Sequence, residues 1–178
     1  MRPGGDFKTR RFTERWTATT PQRARFRRRG RGLTVANGVV KGVRVLGQHS
    51  SNNRTYTVAC MKDAVARKLY EGAAIFCNHL RSRDLVRRVE DRLGTLRNVR
   101  FEDGGLVGDI VLILAHPMAP RVLEAARRPE LWSAFGLSHD AEGEVEHDAS
   151  GRMRIIRLTA VKSCDLVAEP ATVAGLAS

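Results

Sequence analysis

Cysteine is scarce and patternless here. Cys60, Cys77 and Cys164 are an odd number without C-x-x-C spacing, which argues against a disulfide framework and fits a reducing compartment. Metal-ligand spacing is absent as well, and no cofactor is expected. Long apolar runs are also missing. Stretches such as "GLVGDIVLILA" are too short to span a bilayer, and the N-terminus lacks the apolar core of a secretory signal, so a cytosolic protein without membrane contact is expected. Acidic residues are nearly absent from the first 32 positions, which hold 11 Lys/Arg against 2 Asp/Glu, whereas the remainder holds 20 against 17. The formal charge of +12 therefore belongs mainly to a tail, and a nucleic-acid-binding body does not follow from it.

What is present divides the chain in two. Residues 1–32 are rich in Arg, Gly, Thr and Pro, with Phe7, Phe12, Trp16 and Phe26 at no helical or strand period. Such a segment buries too little apolar surface to offset its ordering entropy, so a basic, disordered arm is expected, suited to phosphates or to an acidic protein surface. The 42% hydrophobic content of the whole chain is enough for one core of ordinary domain size, expected within residues 33–178.

Within the body, "GVVKGVRVLG" alternates as a half-buried strand, and "VACMKDAVARKLYEG" spaces Met61, Val65 and Leu69 as a short amphipathic helix stopped at Gly72. "AAIFCNH" reads as a buried strand that delivers Asn78 and His79 at its end. "LGTLRNVRFEDGGLVGDIVLIL" is the strongest hairpin signal, and prolines bracket a helix from about Ala119 to Arg127. "AFGLSHDA" is a short strand, "EGEVEHDASGRM" a polar turn region, "RIIRLTAVKSCDLV" a long β-rich run and "AEPATVAGLAS" a surface-laid tail. Strands in adjacent hairpins with few helices give an α+β, mostly antiparallel fold, either a sheet or a small barrel with peripheral helices.

Three polar groups fall at or near strand ends: His79, Ser138 and Asp165. Singly each is weak. A histidine at a strand end is more often structural, and Ser138 lacks the full Gly-x-Ser-x-Gly elbow because Asp140 stands at its last glycine, which also disfavours an esterase. Asp165 sits in the apolar run "SCDLV" and needs a partner, since an unpaired buried carboxylate costs several kcal/mol.

The segments "NHLRSRDLVRRVEDRLGTLRNVRFEDGGLVGDIVL", "FGLSHDAEG" and "VKSCDLVAEPATVAGL", in this order, resemble the prohead proteases of tailed bacteriophages, head maturation peptidases related in fold to herpesvirus assemblin. The resemblance covers about Val39 to Leu176 and implies a closed, mostly antiparallel small barrel with surrounding helices. It also implies a serine endopeptidase with His79 as general base, Ser138 as nucleophile and Asp165 as the third member. Glu146, His147 and Asp148 lie nearer Ser138 in sequence, but a solvated turn explains them. His139 is expected to point away from Ser138 in an extended segment, and the "CNH" sequence leaves a Cys77 nucleophile formally open.

By the same resemblance the substrates are the major capsid protein, the scaffold protein and the chain itself, and the place of action is the assembling prohead in the bacterial cytoplasm. A homodimer is expected by analogy with assemblin. The rival reading is a catalytically inactive capsid-interior or nucleic-acid-binding protein that works through the Arg-rich arm.

Overall fold

The computed structural model describes residues 9–13, 32–79, 86–148 and 151–177. In chain order these form β1 (Thr9–Thr13), β2 (Thr34–Ala36), β3 (Val39–Leu46), β4 (His49–Ser50), β5 (Arg54–Tyr56), α1 (Val58–Ala66), β6 (Ala74–Cys77), β7 (Arg92–Glu102), β8 (Gly105–Leu112), α2 (Ala119–Arg127), β9 (Gly136–His147) and β10 (Met153–Val167). Two short 3-10 turns lie at Val89–Asp91 and Pro129–Ala134.

The β7–β8 hairpin follows from its turn chemistry. Asp103 and Gly104 both take positive φ, 49° and 75°, which is the two-residue turn whose twist suits an antiparallel pair. Helix α1 begins at a Thr57 cap, whose side chain accepts from the Cys60 N–H. It ends earlier than the expected Gly72. Lys68 takes φ 56°, its N–H bonds the Val65 carbonyl, and the Leu69 N–H bonds that of Ala64. This left-handed cap satisfies the last carbonyls without glycine, and Gly72 instead serves the following turn with φ 80°.

The strands join in the order β1-β9-β10-β6-β7-β8-β3-β2, with β5 pairing β10 and β4 pairing β5. Most pairs are antiparallel; β10 with β5 and β10 with β6 are parallel. The fold is thus mostly β with few helices, as the sequence implies, but the sheet is not a closed barrel. Its terminal strands do not pair with each other, and the sheet curls so that β3 packs against β9. One core cluster holds Val43, Leu46, Ile75, Leu96, Ile110 and Leu158, all fully buried.

Three local expectations change. "EGEVEH" is strand, not turn: Ala141, Gly143 and Val145 face inward while Glu142, Glu144 and Glu146 reach Lys162, Arg157 and Arg154 on β10. A run with three glutamates can still alternate like a strand when a basic partner strand lies beside it. The tail is not surface-laid. Leu176 is fully buried, and its backbone bonds Arg44 and Trp132. Gly47 admits that return, since a Cβ there would lie 2.0 Å from the Thr172 carbonyl oxygen. Finally, the expected disordered arm contains one strand, β1, paired along β9. Backbone hydrogen bonding to a sheet edge requires no hydrophobic period. The remainder of residues 1–32, apart from Gly32, lies outside the described residues.

Candidate active site

Register builds this site. From Ile155 onward, β10 carries one extra residue relative to β9 in each of three intervals: Ile155 to Arg157, Leu158 to Ala160 and Val161 to Ser163. Consequently Ile155, Leu158, Val161 and Cys164, three apart, face Val145, Gly143, Ala141 and His139, two apart. The last irregularity, at Lys162, decides the chemistry. Counted straight from the Val161–Ala141 pair, Asp165 would oppose Leu137; the bulge sets it opposite Ser138. Directly opposed residues share a face, so the carboxylate and the hydroxyl lie on the same side of the sheet. Bulges re-aim side chains in this way. On its other flank Asp165 is the register partner of Phe76 on β6.

His79 joins that face through a break in strand parity. Continued extension from Phe76 would turn His79 to the opposite side. Asn78 prevents this. Its N–H bonds the Leu166 carbonyl at 2.9 Å while its φ of 65° swings the next residue back, in a conformation that asparagine tolerates better than most. His79 Nδ1 then lies 2.7 Å from Asp165 Oδ2. Donating Nδ1–H to the carboxylate leaves the lone pair of the neutral ring on Nε2, the tautomer suited to accepting a proton from a hydroxyl. Asp165 is fully buried and the His79 side chain is 15% exposed, so the pair meets solvent through the imidazole.

Arg87 was not singled out by the sequence. Its Nη2 lies 2.6 Å from the same Asp165 Oδ2 and 3.2 Å from Ser163 Oγ, and its Nη1 donates to the Asn78 carbonyl at 2.9 Å. The guanidinium also lies over the Phe76 ring, 4.6 Å from its centroid. One side chain therefore grips both the buried carboxylate and the backbone that turns His79. The charged planar group supplies the partner that a carboxylate in an apolar run demands. Nothing in the sequence separates this arginine from Arg81, Arg83 or Arg88 around it. Its signal exists only once β6 and β10 are adjacent.

The opposite face of the same strands is closed off. His139, almost fully buried, holds Tyr56 Oη on Nε2 at 2.9 Å and Tyr70 Oη on Nδ1 at 2.7 Å. It thus points away from Ser138, as an extended segment requires, and ties the strand to the end of β5 and the turn after α1. His139→Phe keeps a ring of similar size and removes both bonds. It is expected to lower stability by roughly 2–6 kcal/mol, read from the urea midpoint, because each of the two lost buried partners costs about 1–3 kcal/mol.

Cys77 pairs with Leu166, on the face away from Asp165. Burial, then the negative charges of Asp91 and Asp165, push its thiol pKa upward, which opposes a thiolate nucleophile. Burial likewise pushes Cys60 up to about 12. Glu146 and His147 lie at the far end of β9, paired with the start of β10, and Asp148 caps the following turn through the Arg152 N–H. The geometry brings His79 to Asp165 and leaves these three away from it. Among the described residues no group of three or more His, Cys, Asp or Glu could hold a metal ion, and no helix is long and apolar enough to cross a membrane.

No family model and no curated protein matches this chain. Among solved structures it is similar to the bacteriophage T4 capsid assembly protease gp21, with a TM-score of 0.55 over 92% of this chain and 98% of that one. The two chains share a fold. At 13% identity the likeness concerns the path of the backbone, and the case for chemistry rests on the side chains of this chain itself.

Proposed function

We propose that this chain is a serine endopeptidase of prohead maturation, assemblin-like in mechanism, that cleaves capsid and scaffold proteins inside the assembling shell. The observation that carries the reading is the His79–Asp165 pair, 2.7 Å apart, with Asp165 set across from Ser138 on the adjacent strand, in a fold shared with a capsid assembly protease. Ser138 Oγ attacks the scissile carbonyl as His79 Nε2 takes its proton. The imidazolium then protonates the leaving amine, and water repeats the sequence on the acyl-enzyme. Asp165 holds the ring and stabilises its cationic form, and Arg87 holds Asp165.

The test is co-expression of the full chain with its major capsid protein, reading intact masses of both, followed by treatment of the purified chain with a fluorophosphonate. Shortened capsid protein, together with one added label located by peptide mapping on Ser138, is the expected result. Unchanged masses in assembled shells and an unlabelled serine would overturn the reading in favour of a capsid-interior protein that works through its arginines.

A further inference from the structure

β8 lies between β7 and β3, and each neighbour carries one extra residue against it, β3 between Val40 and Val43 and β7 between Arg97 and Arg100. Counted straight from the Val40–Ile110 and Arg97–Asp109 pairs, Val107 would stand between Val43 and Val99 in an apolar row. The two bulges set it between Arg44 and Arg100 instead. One carboxylate pins both. Asp109, 7% exposed, accepts the Gly42 N–H on Oδ1 at 3.1 Å and the Asn98 side-chain amide on Oδ2 at 3.0 Å, and Gly42 and Asn98 take positive φ, 82° and 53°. Like charges sharing a row of a sheet repel, so this row is at ease only when an anion joins it.

The two arginines are not equally provided for. Arg100 pairs with Glu102 at 3.0 Å. Arg44 has no carboxylate within ion-pair distance among the described residues, and its side chain makes one hydrogen bond, from Nη1 to the Glu102 carbonyl at 2.9 Å. The guanidinium lies against Gly105, where a Cβ would stand 2.8 Å from Nη1. Burial lowers its pKa against the smaller opposing effect of Asp103 and Glu102. A half-buried guanidinium in this position bears a desolvation cost without the paired counter-charge that ordinarily offsets it. Lys41, Arg44 and Arg100 line one cavity of about 160 Å³ with Glu102 and Asp103. Lys41 is exposed and also lacks an acidic partner among the described residues.

We propose that this outer face of β7, β8 and β3 is a docking site for an acidic segment of a partner protein, with one Asp or Glu carboxylate seated in the fork of Arg44 and Lys41 beside it. Three cations against two carboxylates on the cavity wall leave one positive charge, which matches a single carboxylate and not the serial charges of a nucleic-acid backbone. The cavity is open to solvent beside Lys41. A free small acid would be poorly enclosed there, whereas a side chain on a larger partner is retained by that partner's other contacts. The site lies at the other end of β7 from the candidate base: Phe76, three residues before His79, pairs with Arg92 at the start of β7, and Glu102 is its last residue. It stands whether or not the chain is a peptidase.

The experiment follows the backbone amides of the full chain by heteronuclear NMR during titration with acetyl-Ala-Glu-Ala-amide, its Gln counterpart, inorganic phosphate and a short DNA duplex. The Glu peptide is expected to move Gly42, Arg44 and Val107 saturably, and the Gln peptide to leave them still. Arg44→Gln should weaken the Glu peptide about tenfold or more, and Arg44→Lys by less, since lysine keeps the charge and loses the fork. Arg44→Gln also removes the bond to the Glu102 carbonyl. Lys41→Gln removes no hydrogen bond among the described residues, so it tests the site with the fold untouched and should weaken binding about two- to fivefold. Equal responses to the Glu and Gln peptides would overturn the proposal, as would Glu-peptide binding that neither Arg44→Lys nor Lys41→Gln alters. Tighter binding of phosphate or of the duplex at these amides would replace it with a phosphate site. If no probe moves them, the arginine row serves the fold alone.

Discussion

Ser138→Ala is expected to reduce cleavage of the capsid protein by about 10⁶-fold, to the level that binding alone sustains, because a serine peptidase without its hydroxyl has no group to form the acyl-enzyme. The substitution should leave the fold intact. Ser138 is 1% exposed, and the change removes one oxygen from a strand held on its other face by the His139–tyrosine bonds. Exchange protection in β9 and the urea midpoint should therefore stay close to those of the unaltered chain while product falls below detection. A variant that still trims the capsid protein at a tenth of the original rate would place the nucleophile elsewhere. Cys77 would be a poor second choice: its thiol pKa is raised and it sits on the wrong side of β6.

The parts of this molecule that could be read from the sequence are those whose information is local. The Asp103–Gly104 turn, the strand that delivers His79 and the helix from Ala119 to Arg127 each follow from residues within a dozen positions. The long β10 strand was legible as β-rich but not in its register. Its apolar residues recur every third position because three bulges intervene, a spacing that fits neither a flat strand nor a full helical pattern. The pairing of Asp165 with Ser138 depends on one of those bulges, so periodicity alone could name both residues but could not show that they share a face. Arg87 was illegible for a further reason. Its partners Asn78, Ser163 and Asp165 come from β10 and the end of β6, and only tertiary structure distinguishes it from its basic neighbours. The strand β1 was missed because pairing to an edge leaves no mark in hydropathy.

Asp165→Asn is expected to lower kcat by about 10³–10⁴-fold with KM little changed, the loss typical of a triad deprived of its carboxylate. The cause can be specified from the hydrogen bonds. Both His79 Nδ1 and Arg87 Nη2 donate to Oδ2, whereas Oδ1 is buried without a hydrogen-bond partner among the described residues. The amide should therefore keep its oxygen where Oδ2 was, since turning its NH₂ toward two donors would oppose like with like. The ring orientation survives and the negative charge does not. Arg87 then stands near His79 with its counter-charge gone, and the imidazolium that forms during attack meets an uncompensated cation. This predicts an inversion. Arg87→Gln in the unaltered chain should lower kcat, because Asp165 loses its clamp, but in the Asp165→Asn background it should raise kcat several-fold by removing the repelling charge. Steady-state kinetics of the two single variants and the double variant form the cycle that decides. If Arg87→Gln instead lowers activity by the same factor in both backgrounds, the arginine acts on the backbone at Asn78, not through the charge of Asp165.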